Sequence, residues 1–227
     1  MSAKDAASRA RLARRGLASR APLDKTTNAM LLRQLYVALF ELRRFGDALR
    51  VAESAVELGV MPDVIHHDAA RAAFAAGDLD AAVAHLRTAA RRSPASRRSF
   101  HWWTLGSTLF HAERYGESAA ALERAVRWAT NDRPLYRAQL ALVRLAAGEG
   151  DADVQRAIDE LAAAPCGQGY GRFVLGHLAY AAREFRAARQ YLDAFVRRTE
   201  SSPAPTAIAL EPELKMAKAT LEKLAER

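Results

Sequence analysis

One cysteine, Cys166, stands in 227 residues. An intramolecular disulfide is therefore excluded, and a reducing, cytoplasmic compartment is the expected location. No apolar run of about 18 residues or more occurs, so no membrane-spanning helix is expected. The basic N-terminus has no apolar stretch behind it, which argues against a secretory signal. Its Arg/Ser-rich, acid-poor character overlaps with organelle transit peptides. Glycine (12) and proline (8) are sparse and fall mostly at suspected helix ends. No sustained apolar/polar alternation marks a strand, so the fold is expected to be all-α.

Signatures of catalysis are also missing. No GxSxG nucleophile elbow is present. His66, His67 and Asp68 are neighbours that a helix points to different sides, and no His pair has the i, i+4 spacing of a helical metal site. His67, His111 and His177 would meet only if the curvature of the chain allowed it. The glycine-rich segment Pro165–Gly171 follows a helix and lacks the Lys-Ser/Thr of a phosphate loop. Cys166 has no activating neighbour in sequence. No enzyme, metal or cofactor is expected.

Charge is present but unevenly placed. Residues 1–20 carry six basic side chains against Asp5 alone, which accounts for +5 of the net +8. The body is nearly balanced, unlike a uniformly basic nucleic-acid binder. A second basic cluster, Arg87, Arg91, Arg92, Arg97 and Arg98, runs from a helix end into a loop, where the helix dipole favours positive charge.

The chain repeats itself. Residues 99–130 read as two helices around a tight turn, with Trp102, Leu105, Gly106 and Leu109 on one face of the first helix. An aromatic or aliphatic residue just past the turn recurs as Phe45, Leu79, Tyr115 and Phe185, at spacings of 34, 36 and 70 residues. A small residue three places later keeps the same phase: Ala48, Ala82, Ser118 and Ala188. Gly106 has partners in Ala70 and Gly176, with the bulkier Tyr36 in the first copy. Helices are expected near 29–43, 46–58, 63–76, 78–92, 134–147, 151–164 and 212–226. Thr26, Thr27 or Asn28 is expected to cap the first of these. The fourth copy is degenerate, with Gly150 in the aromatic slot. Ser201–Thr206 reads as a loop. The final helix has Leu214, Ala217, Leu221 and Leu224 on one face, and Glu213, Lys215, Lys218, Glu222 and Lys223 on a polar face.

This pattern resembles the tetratricopeptide repeat family, whose 34-residue unit runs Trp, Leu-Gly, Tyr, turn aromatic, alanines, Pro. Trp102–Gly106, Tyr115 and Ala125 carry the match, and residues 28–202 follow the same phase. The resemblance implies a right-handed α-solenoid of about five helix pairs with a concave groove and a C-terminal capping helix. The expected organisation is a basic arm over residues 1–25, partly disordered or helical, a solenoid over 26–202, and a loop with capping helix over 203–227.

In that family the first helix of each pair lines the groove. The residues expected to contact a partner are Phe74, Trp103, Phe110, Phe173, His177 and Tyr180, with Arg33 and Arg71 reading acidic groups. The carboxylate clamp of some family members is not expected. Arg33 suits one of its slots, but Val37, Asp68, Phe100 and Thr104 occupy others that require Asn, Asn, Lys and Arg. The expected function is a non-catalytic adaptor, scaffold or chaperone-like module that binds a peptide segment or helix of another protein. The alternative is a nucleic-acid-associated repeat protein using the basic arm and the Arg-rich edge.

Overall fold

A computed structural model describes residues 5–19, 22–150 and 154–226. Lys4 and Arg20 of the basic arm, Ala21 of the Ala21–Pro22 break, and the expected helix start at 151–153 lie outside the described residues. All regular structure in the described residues is helical. The chain forms two compact units, residues 1–101 and 102–227, divided within one helix.

The first unit contains α1 (Ala6–Leu17), α2 (Lys25–Glu41), α3 (Phe45–Val56), α4 (Pro62–Ala75), α5 (Leu79–Arg92) and the start of α6 (Ala95–His111). The second contains the rest of α6, then α7 (Tyr115–Trp128), α8 (Arg133–Ala146), α9 (Val154–Ala163), α10 (Gly171–Ala181), α11 (Phe185–Glu200), α12 (Ala204–Ala209) and α13 (Glu211–Ala225). Helices pack chiefly on their neighbours in sequence: α1 on α2, α2 on α3, α3 on α4 and α4 on α5 in the first unit. In the second, α8 packs on α7 and α9, α10 on α11, and α13 on α11 and α10.

The basic N-terminal stretch contributes α1. Asp5 caps it by accepting the Ser8 N–H at 2.8 Å. Ala10 and Ala13 are its buried residues, while Arg11, Arg14 and Arg15 are exposed. Arg9 pairs with Glu41 of α2. The cap of α2 is Asp24, not the threonines or Asn28. Its carboxylate accepts from the Thr26 and Thr27 N–H groups at 2.9 and 3.0 Å, which starts the helix at Lys25. The expected Ser201–Thr206 loop is shorter than its composition implied. Pro203, with its fixed φ, leads straight into the six-residue α12.

One turn closes all five helix pairs. Arg43, Gly77, Glu113, Gly148 and Arg183 each have a left-handed backbone, with φ of 56°, 85°, 58°, 78° and 64°. They are spaced 34, 36, 35 and 35 residues apart. The following N–H reaches back five residues to a helix carbonyl at 2.9 Å in every case: Arg44 to Leu39, Asp78 to Ala73, Arg114 to Leu109, Glu149 to Arg144 and Glu184 to Ala179. The left-handed residue's own N–H reaches back three residues. These paired bonds satisfy the carbonyls that a helix end leaves open. The degenerate fourth pair keeps the turn because Gly148 supplies the backbone without an aromatic.

Pairs of aromatic rings fasten three of the five turns. Phe40 meets Phe45 at 5.3 Å, Phe110 meets Tyr115 at 6.1 Å, and Tyr180 meets Phe185 at 5.9 Å between centroids. Within the pairs, small residues admit large ones. A Cβ on Gly106 would stand 2.6 Å from Leu122 Cγ, and one on Gly176 would stand 2.5 Å from Leu192 Cγ. The Ser118 hydroxyl donates to the Gly106 carbonyl at 2.7 Å, which ties α7 to α6 at that close approach.

Candidate functional site

The eight residues expected to contact a partner occupy three positions of the repeat. Arg33, Trp103 and Phe173 lie ten residues before a left-handed turn residue. Arg71 and His177 lie six before, and Phe74, Phe110 and Tyr180 lie three before. This last position is a packing position. Phe110 and Tyr180 face the turn aromatics, and Phe110 is buried. Phe173 has no exposed surface, lying against Tyr170, His177 and Phe195. His177 is buried as well. Phe110, Phe173 and His177 are therefore core residues, not surfaces for a partner. The recurrence of Phe40, Phe74, Phe110 and Tyr180 in phase with the turn aromatics was the signal for a packing role.

In the second unit, Trp103 anchors a polar chain. Its indole N–H donates to Gln139 Oε1 at 2.5 Å, and its ring stacks on Tyr136 and meets Tyr170 edge-on. The Gln139 amide nitrogen donates to Ser107 Oγ at 2.9 Å and lies 3.4 Å from the Tyr170 hydroxyl. Tyr170 donates to Glu213 Oε1 at 3.2 Å. An indole can only donate, so Gln139 must accept from it and pass its NH₂ onward; the tyrosine hydroxyl must then donate to an acceptor. The carboxylate of Glu213 meets that requirement. Glu213 was expected on the wet face of the last helix, yet it is buried, with Oε2 left without a hydrogen bond. His111 Nε2 stands 3.1 Å from Glu213 Oε1, out of line for a hydrogen bond. Burial, reinforced by the Glu213 charge, raises the Tyr170 hydroxyl well above its ordinary range. Burial, with His111 nearby, pushes His177 down to about 4.

The first unit sets charges on the corresponding helices. Arg33 donates to Asp68 at 2.6 Å, a bond between α2 and α4 at equivalent heights of successive repeats. Burial raises the Asp68 carboxyl, and Arg33 and Arg71 offset only part of that rise. Arg71 lies over the Phe40 ring at 5.0 Å. Both arginines thus have intramolecular roles. Arg97 donates to Asp63 at 2.7 Å, with His101 3.4 Å away on the same oxygen. Burial pushes Asp63 up, but Arg97 and His101 outweigh it and hold the carboxyl below its ordinary value. Phe100 packs against the rings of His67 and His101 at 5.3 and 5.4 Å, yet remains 40% exposed. Burial lowers His67 to about 3.

Sequence reading missed Gln139, Glu213, Asp63 and the contact of His66 with His85. Gln139 carried a signal: it is the only amide side chain in α8 and lies one repeat after Trp103. His66 and His85 carried none, because they sit 19 residues apart on separate helices. Among the described residues, no group of three or more His, Cys, Asp or Glu is arranged to hold a metal ion. No helix of the described residues is long and apolar enough to cross a membrane. Compared with protein-family models and with curated proteins, the chain matches none.

Proposed function

We propose that this chain is a non-catalytic, tetratricopeptide-type binding module, and that the first helices of the pairs in its first unit receive a segment of another protein. The observation that carries the reading is Phe100. A large aromatic ring is held 40% exposed, braced by His67 and His101. Arg97 and Arg33 retain exposed side-chain surface while pairing with buried carboxylates. A braced aromatic beside cationic groups suits a segment with an apolar anchor and flanking acidic residues. Because the ring is already ordered, binding incurs little conformational cost.

The shared hydrogen-bond pattern of the five turns and the in-phase packing residues support the repeat assignment. The second unit is a poorer receptor on this reading, since its polar chain already ends on Glu213 and three of its expected anchors, Phe110, Phe173 and His177, are core residues. Trp103 and Tyr180 are only partly buried there and remain secondary candidates, as does Phe74 in the first unit.

The test is capture from source-cell lysate by the immobilised full chain, wild type and Phe100→Ala, with and without nuclease. A nuclease-resistant protein retained by wild type and lost by the variant is the expected result. Nucleic acid held equally by both would instead favour the exposed Arg11, Arg14 and Arg15 of α1 and Arg87, Arg91 and Arg92 of α5. That binding would fall steeply with salt.

A further inference from the structure

Glu213 puts a charged side chain where a capping helix needs an apolar one. It projects from the first turn of α13 and meets Tyr170, just ahead of α10, at 3.2 Å and His111, at the end of α6, at 3.1 Å. The Glu213 and His111 side chains are 7% and 9% exposed. Their fit is incomplete, since Glu213 Oε2 and His111 Nε2 are buried without a hydrogen bond. A carboxylate buried half-satisfied costs stability that an apolar residue would not. The rest of α13 holds on lightly. Its other buried residues are Ala217, Thr220 and Leu224. Arg189 ties the far end through the Leu224 carbonyl at 2.6 Å, and the Lys218–Glu200 pair is exposed. The Tyr170 donor, by contrast, is held from behind: the Gln139 amide nitrogen lies 3.4 Å from its hydroxyl, and Gln139 is fixed by Ser107 and Trp103. Burial beside the Glu213 charge keeps that hydroxyl protonated.

We propose that Tyr170 and His111 form a carboxylate-binding subsite in the second unit, which Glu213 occupies in cis and which an acidic side chain on a partner helix takes over by displacing the first turn of α13. The occupant is defined by what it replaces: a helix with Glu or Asp in its first turn and small or leucine side chains on the same face. Arriving on a separate backbone, its carboxylate can accept from Tyr170 and from a His111 protonated at Nε2 together, which Glu213 does not achieve. Glu213 competes from within the chain at high effective concentration, which keeps the subsite closed until such a segment arrives. The subsite lies wholly in the second unit, so it stands or falls independently of Phe100.

The test uses the full chain, wild type and Glu213→Ala, with two probes. Sodium acetate, against sodium chloride at equal ionic strength, should raise the melting temperature of Glu213→Ala saturably and leave wild type unmoved; Glu213→Ala/Tyr170→Phe should lose the response. A fluorescein-labelled peptide of residues 204–226, followed by polarisation, should bind Glu213→Ala about ten-fold or more tighter than wild type, the discrimination one hydrogen bond to a charged group supplies. The same peptide carrying Glu213→Ala should lose that preference. Circular dichroism confirms folding; where Glu213→Ala does not fold, Glu213→Gln, which keeps an acceptor for Tyr170 but no charge, serves for the peptide. Acetate acting no differently from chloride on a folded Glu213→Ala chain would overturn the subsite. Peptide binding that ignores the peptide's own Glu213 would overturn displacement and leave Glu213 a structural residue. A wild-type dimer in sedimentation that Tyr170→Phe dissociates would assign the site to α13 of a second copy and overturn the separate partner.

Discussion

Adding one methyl group at Gly176 tests the close approach of α10 and α11. The new Cβ would lie 2.5 Å from both Cγ and Cδ2 of Leu192 and 3.3 Å from the Leu192 backbone nitrogen. Ordinary carbon contacts begin near about 3.5 Å, so the shortfall is about 1 Å. Leu192 is completely buried, and Cγ is not a free side-chain end that can swing aside. Overpacking of this kind costs about 1–3 kcal/mol, and the upper half of that range applies here. Alanine's better helix propensity returns about 1 kcal/mol. Gly176→Ala should therefore lose about 1–2 kcal/mol. Leu192→Ala alone should lose about 2–5 kcal/mol through its cavity. The double variant should be more stable than the sum predicts, by about 2–3 kcal/mol, because the new methyl enters the vacated space. All three tryptophans, Trp102, Trp103 and Trp128, lie in the second unit. Urea denaturation followed by tryptophan fluorescence thus reports that unit alone, whereas circular dichroism reports both. The second pair has Ala70 in the glycine's register, with Leu86 in the leucine's. A Gly176→Ala loss below about 0.5 kcal/mol, or strict additivity in the cycle, would show that the fifth pair tolerates alanine equally, and would refute the close-approach argument.

Trp103→Phe keeps an aromatic ring but removes the indole donor, leaving buried Gln139 Oε1 unpaired at a cost of about 1–3 kcal/mol; adding Gln139→Leu should recover part of the loss in the same fluorescence assay. His177 has a folded pKa near 4 against an ordinary 6.5, so the unfolded chain binds the extra proton between those values. Its contribution is complete above about pH 6.5 and disappears as pH falls towards 4, on the order of 3 kcal/mol in all; His177→Leu should flatten that limb of the stability–pH curve. Glu113→Gly relieves a left-handed non-glycine residue worth about 1–2 kcal/mol, less the extra chain entropy of glycine, for a net gain of up to about 1 kcal/mol. Gly148→Val at the equivalent turn should instead lose stability, and equal midpoints for these two variants would contradict the shared turn geometry.

The all-helical character and the consecutive pairing were legible because periodicity, sparse glycine and recurring turn aromatics are local signals. The helix around residues 134–147, for example, emerges as Arg133–Ala146. Pair registration was also legible, since Ser118, Gly106 and Leu122 meet through helix contacts that keep a fixed spacing in sequence. Side-chain destinations were not. Phe110 and Phe173 look like groove anchors on a helical wheel, but a wheel does not show that one faces a turn ring and the other a neighbouring helix. Glu213 was unreadable for a different reason. Its burial depends on a donor chain running from Trp103 through Gln139 to Tyr170, and these residues come from two helices and the turn before a third, widely separated in sequence. The exposure of Phe100 depends likewise on two histidine rings that stand one repeat apart.

The near-equal spacing of the five left-handed turns also has a mechanical consequence. Each turn is closed by backbone bonds within its own pair, so tension at the chain ends meets a series of separate short-range locks. A pair that gives way frees about 35 residues, or about 120 Å of extended chain. Extension should therefore proceed in steps of nearly uniform length. The step spanning Glu149 and Gly150, where no ring braces the lock, should require the least force.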